Sequence, residues 1–202
     1  MKLKLVSIII AGLLFLSPVT ARACACCAEP GHYFSGSTNL DDDSLSQLKR
    51  MRFAGNAFLY LTAADFEEVS QGIEHATEKY LVSGSFVSNV LKISFRTGNR
   101  SGVLELPLPT TMWAHSADIH DGKPSPGGGP LLYKEWRLEG NVTGTGVFKA
   151  GTSAPAKYTL VLQGRGNGCD NAGDFKNWRL AVEGEKASYA FYGRFGTPAP
   201  NR

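Results

Sequence analysis

Residues 89–109 read NVLKISFRTGNRSGVLELPLP, and their apolar side chains recur with a period of two. Leu91, Ile93 and Phe95 alternate with Lys92, Ser94 and Arg96, while Leu104, Leu106 and Leu108 alternate with Val103, Glu105 and Pro107. A helix of period 3.6 would scatter these side chains around its axis, whereas a pleated strand gathers them on one face. The intervening residues 97–102, TGNRSG, have turn composition, so the segment is predicted to be a hairpin with one apolar face.

The same alternation returns three times: in 132–139 with Trp136 and Leu138 on one face, in 157–163 with Tyr158, Leu160 and Leu162, and in 178–183 with Trp178, Leu180 and Val182. The last run is expected to pair across Gly184, Glu185 and Lys186 with 187–192, and a short strand is expected at Val147 and Phe148. Ahead of the hairpin the pattern is helical. Asp41, Asp42 and Asp43 precede Leu45, Leu48 and Met51, Lys49, Arg50 and Arg52 follow, and Gly55 supplies a stop. A candidate strand, NAFLYLT, comes next, then a capping-box-like start at Thr62 to Asp65 with Phe66, Val69 and Ile73 on one helical face. The fold class that follows is mainly β: a single antiparallel β-sandwich or small β-barrel of seven or eight strands, preceded by one or two short helices.

Residues 1–23 have a basic start, an apolar middle too short to span a membrane and a small-x-small finish, the pattern of an export signal peptide. Cleavage after Ala23 makes Cys24 the first residue, and cleavage after Ala25 is the alternative. A lipid anchor on Cys24 is disfavoured, because Ala21 stands where an aliphatic residue is wanted. Of 21 basic and 18 acidic side chains, Lys2, Lys4 and Arg22 fall within the signal, leaving 18 of each sign. A near-neutral chain lacks the field that nucleic acid or anionic membrane requires as a partner. Export, to periplasm or to the extracellular medium, is the expected localisation. Residues 24–38 are read as a Cys-rich N-terminal segment and 39–202 as a single mainly-β domain.

Three of four cysteines, Cys24, Cys26 and Cys27, lie within four positions, and Cys169 is remote. In an oxidising compartment Cys169 is expected to bond one of the three. That bond closes a loop of roughly 140 residues and contributes about 4–5 kcal/mol on the chain-entropy view. For the remaining thiols two readings compete, a second disulfide or a soft-metal site for copper or zinc formed by Cys24, Cys26 and Cys27 with His32. No C-x-x-C spacing supports a redox centre.

Two polar constellations remain. Around His115, Asp118, His120 and Asp121 precede a Gly/Pro run, and Asp118, His120 and Asp121 could form a metal-assisted hydrolytic site or simply cap a turn. In residues 164–174, GRGNGCDNAGD, Arg165, Asn167, Asp170 and Asn171 are candidate ligand-binding groups, with glycines admitting close backbone approach. The aromatics Trp136, Trp178, Tyr158, Phe95 and Phe191 are assigned to the core, a sugar-stacking platform being the alternative. Asn141-Val142-Thr143 matches a glycosylation acceptor. The functional reading that results is an exported non-enzymatic protein binding a metal ion or small ligand near residues 24–27 and 164–174. The alternatives are the hydrolase and an envelope-associated structural protein whose cysteines serve only as staples.

Overall fold

The computed structural model describes residues 26–60, 70–120, 122–123 and 129–200. These contain strands β1 (Tyr33–Asn39), β2 (Arg52–Leu59), β3 (Lys79–Val87), β4 (Val90–Thr97), β5 (Arg100–Pro107) and β6 (Thr111–Asp118). They are followed by β7 (Leu132–Asn141), β8 (Thr143–Gly146), β9 (Ala156–Gly166), β10 (Phe175–Gly184) and β11 (Ala187–Gly196). Among the described residues there is one α-helix, α1 (Asp42–Arg50). All eleven strands join one antiparallel sheet in the order β1-β6-β7-β9-β10-β11-β2-β3-β4-β5-β8.

The expected mainly-β, antiparallel character is present, with eleven strands in place of seven or eight, all in one sheet that does not close into a barrel. The sheet is open, with β1 and β8 as its edges. A single corner explains its shape. β7 passes through buried Val142 directly into β8, which pairs with β5 at the far edge. The sheet must therefore bend round, so that the inner faces of its two halves meet. Tyr158 of β9 accordingly donates its hydroxyl to the Pro107 carbonyl at the end of β5, at 2.7 Å.

The hairpin legible in the sequence is β4–β5, with Leu91, Ile93, Phe95, Leu104 and Leu106 fully buried. Across the bend Phe95 meets Phe191 of β11 at 4.6 Å between ring centroids, and Phe148 at 5.2 Å. Trp136 packs on Phe175 at 4.6 Å, and Trp178 on Phe53 at 5.5 Å. Each such ring contributes about 1.5–3 kcal/mol by leaving water. The core is thus continuous between the halves, and every aromatic assigned to it from the sequence is buried there.

Three strands escaped the alternation signal. β1 (YFSGSTN) is an edge strand with no buried residue, so nothing selects an apolar phase. In β3 only Tyr80 and Val82 are buried, while Leu81 between them points to solvent and spoils the alternation. In β6 only Met112 is buried. Residues 33–38, assigned from the sequence to the Cys-rich segment, are consequently part of the sheet.

Asp41 caps α1 by accepting from Ser44 N–H at 2.8 Å, and Leu48 is wholly buried. The helix ends at Arg50 and not at Gly55, because Met51 is extended and Arg52 already belongs to β2. Gly55, with φ of +83°, instead occupies a bulge: Ala57 faces Gly193 and Phe53 faces Phe195, so three β2 residues oppose Arg194 alone. The second expected helix falls on residues 61–69, outside the described residues, and its expected end is not helical: Gln71 bridges to Ser188 and Ile73 closes a turn with Ser70. The short strand expected at Val147 and Phe148 lies just before them, in β8, and both side chains are buried in the turn that follows.

Tyr189 lies in this core, 4% exposed and stacked on Phe148 at 5.8 Å. Its hydroxyl has no hydrogen-bond partner among the described residues. A buried hydroxyl without a partner costs about 1–3 kcal/mol. Tyr189→Phe is therefore expected to raise stability by about 1 kcal/mol in urea unfolding, and a loss of that size would show that the hydroxyl is satisfied in solution.

Candidate functional site

Cys169 bonds Cys26, a pairing within the set expected, across 143 residues of sequence. Gly168 N–H donates to the Cys26 carbonyl at 2.7 Å, so the N-terminal segment lies along the β9–β10 loop. Beneath that loop is a group the sequence reading did not single out. Lys134 of β7 points inward between Leu132 and Trp136 and is only 3% exposed. Its ammonium donates to the Cys169 carbonyl and to Asp174 Oδ2 at 3.0 Å, with Asp170 Oδ1 at 3.6 Å. Burial pushes the Asp170 carboxyl above its ordinary value, against the pull of Lys134. Helix α1 closes the arrangement, with Ser44 Oγ 3.5 Å from Asp170 Oδ2 and Gln47 accepting from Ala172 N–H at 3.0 Å.

Of the residues proposed from the sequence for ligand binding, Asn167, Asp170 and Asn171 are engaged within this loop. Asn167 accepts from Cys169 N–H at 3.2 Å and Asn171 from Gly173 N–H at 2.9 Å, while Arg165 is exposed on the outer face of β9. The glycines serve close approach, but to the protein itself: a Cβ on Gly166 would run into the Asp174 carboxylate, and one on Gly164 into the Asp174 carbonyl. The loop is therefore built as a clamp around Lys134.

Of the candidate metal ligands, Cys26 is consumed by the disulfide, Cys24 lies outside the described residues, and Cys27 is half-buried beside the bond. His32 Nε2 is 2.8 Å from Ser116 Oγ. Among the described residues no three His, Cys, Asp or Glu side chains converge in a way that could hold a metal ion. Of the candidate hydrolytic set, Asp121 is outside the described residues and Asp118 is a cap. Its carboxylate accepts from Gly31 N–H at 2.9 Å, His120 N–H at 2.8 Å and Gly122 N–H at 3.2 Å. The amides of Gly31 and His120 hold its pKa below the ordinary value. Asp118 thereby ties the turn after β6 to the chain entering β1.

A different surface has the shape of a binding site. On the outer face of the sheet, β2, β10 and β11 floor a groove of about 1010 Å³. Phe58 and Tyr192 stack there with centroids 5.5 Å apart, and Tyr60 meets Tyr192 edge-on at 6.4 Å. All three are solvent-facing, at 37%, 46% and 48% exposure for Phe58, Tyr192 and Tyr60. The Arg179 guanidinium sits 6.0 Å from the Tyr60 ring, and Lys79 Nζ 6.0 Å from that of Phe58. Gln163, Asn177 and Arg194 give the groove a polar side, and the β2 bulge at Gly55 forms part of its wall. A contiguous apolar patch rimmed by polar groups marks a place of contact with a partner or ligand.

Gln163 links this groove to a neighbouring network. Its amide donates to Tyr133 Oη and Glu135 Oε2, both at 3.0 Å, while Tyr133 donates to Glu135 Oε2 at 2.8 Å. Burial together with the bond to Glu135 pushes the Tyr133 phenol up to about 12. Burial acts to raise Glu135 as well, but the donors Gln163 and Tyr133 leave it below its ordinary value. Glu135 is thus a fixed, ionised acceptor beside the groove.

The sequence reading missed the groove because it looked for apolar residues on one phase of each strand. The signal was present. In AFLY, Phe58 and Tyr60 flank inward Leu59, and in AFYG, Tyr192 follows inward Phe191, so these strands are aromatic on both faces. Fold and groove together define a mainly-β protein on one open antiparallel sheet, carrying an aromatic groove on its outer face. No protein-family model matches the chain, and no curated protein or solved structure matches it either.

Proposed function

We propose that this is an exported, non-catalytic ligand-binding β-protein whose ligand lies in the groove lined by Phe58, Tyr60, Tyr192 and Arg179. The observation that carries the reading is the stacked Phe58–Tyr192 pair, solvent-facing on the outer face of the sheet. The disulfide supports residence in an oxidising compartment. It also favours a structural part for Cys26 and the loop carrying Cys169, where Asn167 and Asn171 accept from backbone amides of the same loop. Likewise the hydrolase reading is disfavoured by Asp118, whose oxygens are spent on three backbone amides. None of the described helices is long and apolar enough to cross a membrane.

The test is a thermal-shift screen of small polar and aromatic-stacking compounds, followed by calorimetry on wild type and on Phe58→Ala/Tyr192→Ala. Each ring is expected to account for about tenfold in affinity, so the double variant should lose binding while melting close to wild type. Ligands that bind both proteins equally would place the site elsewhere and end this reading.

A further inference from the structure

The register of the sheet carries the reading of this groove further. On the outer face, successive partner residues line up across the strands as Trp113, Arg137, Val161, Arg179, Tyr192 and Phe58. Two residues away along the strands a second row runs through His115, Glu135, Gln163, Asn177 and Arg194. Strands are about 4.8 Å apart, so the first row spans roughly 24 Å across its five steps. The first row holds three rings and two guanidinium groups with Val161 between the arginines, and the other is wholly polar. Their step matches the repeat of a chain of pyranose units laid across the strands.

We infer that the groove binds an acidic oligosaccharide, a uronic-acid polymer segment, running perpendicular to the strands along these two rows. The proposal rests on the groove being the binding site and adds the class of ligand. The apolar face of a pyranose packs against the stacked Phe58–Tyr192 pair, whose ring planes are 26° apart. The sugar hydroxyls meet the amides of Asn177 and Gln163, and the Glu135 carboxylate as an acceptor. Two arginines, Arg179 and Arg194, line the groove against one carboxylate, Glu78, and leave it positive. Arg137 has Glu135 at 3.6 Å, whereas Arg179 and Arg194 have no carboxylate within salt-bridge distance among the described residues. Two guanidinium forks without a carboxylate partner among the described residues, one of them over the Tyr60 ring, call for planar anionic groups, which a uronate supplies once per sugar.

Aromatic rings with arginine also suit single-stranded nucleic acid. The Cys26–Cys169 disulfide favours an oxidising compartment, a poor place to meet such a strand, and so favours the saccharide.

The experiment is calorimetric titration of the full disulfide-bonded protein with oligogalacturonate of two to six units, the fully methyl-esterified oligomers of equal length, and oligo-dT. The free acid is expected to bind at least tenfold tighter than its ester, with affinity rising from two units to about five and then levelling. Arg179→Gln should remove about tenfold for the acid and leave the ester unchanged, while Tyr192→Ala should weaken both. An unaltered melting temperature in Arg179→Gln excludes misfolding as the cause. Equal binding of acid and ester, binding of oligo-dT in preference to the uronate, or no uronate binding at millimolar concentration overturns the inference and leaves the groove itself standing. Uronate binding indifferent to Tyr192→Ala overturns the groove reading as well.

Discussion

Replacing Cys26 and Cys169 together with serine is expected to lower the stability of the folded protein by about 4–5 kcal/mol, the largest effect of any change considered. The bond closes a loop of 143 residues, and the loss is that of loop-closure entropy returned to the unfolded chain. For a chain of this size the melting temperature should fall by roughly 10–20 °C. Urea unfolding of the double variant, and of wild type with reductant, should agree. The damage should also be local, because the bond anchors the segment leading to edge strand β1, whose remaining ties there include Gly31 N–H to Asp118 and Gly168 N–H to the Cys26 carbonyl. Amides of β1 should therefore exchange faster than those of β9 and β10. A loss below about 1 kcal/mol would show that Lys134 and helix α1 hold the clamp without the bond.

Lys134→Met is expected to cost about 3–5 kcal/mol, because it leaves Asp174 and Asp170 facing each other without their cation. Methionine fills most of the volume, so the loss reports charge and not a cavity. Combining Lys134→Met with Asp170→Asn and Asp174→Asn should restore most of it. The pH dependence has a definite sign. Burial already raises the Asp170 carboxyl above its ordinary 3.8, so its protonated form is favoured in the folded state. Without Lys134 the rise is larger, so the deficit is smallest below pH 3.8 and grows as pH climbs through the raised folded value. Equal deficits at pH 4 and pH 7 would show that the lysine acts through packing alone.

Lys134 also illustrates how far the sequence could be read. The run LYKEWRLEG places Leu132, Lys134, Trp136 and Leu138 on one phase, so a lysine on the buried phase was visible and called for a carboxylate partner. The β4–β5 hairpin was legible because turn chemistry and alternation agree over its whole length. β1 and β6 were not, since one lies at the edge with no buried residue and the other buries a single methionine. Sheet order was beyond reach for a different reason. The pairings that set it, β11 with β2, β1 with β6 and β5 with β8, join residues far apart in sequence, and no local pattern records them. The β7–β8 corner at Val142, which bends the sheet without closing it, rests on a single residue between two strands.

The same blindness applies to the candidate site. Cysteine spacing and compartment predicted the Cys169 bond, and composition marked residues 164–174 as unusual, while Gly164 and Gly166 there make room for Asp174. The outer-face rows exist only once strands distant in the chain are in register, so Trp113, Arg179 and Phe58 have no relation in the sequence. Aromatic residues on both phases of β2 and β11 were the one local sign.

The measurement that bears most directly on this account is a titration of isotopically labelled protein with oligogalacturonate, followed by backbone and side-chain NMR. The account predicts shift changes at Phe58, Tyr60, Asn177, Arg179, Tyr192 and Arg194 that saturate with one binding constant, with 164–174 unmoved beyond their junction with β9. Changes centred on Cys169, Asp170 and Asn171 with the aromatic face silent would contradict it.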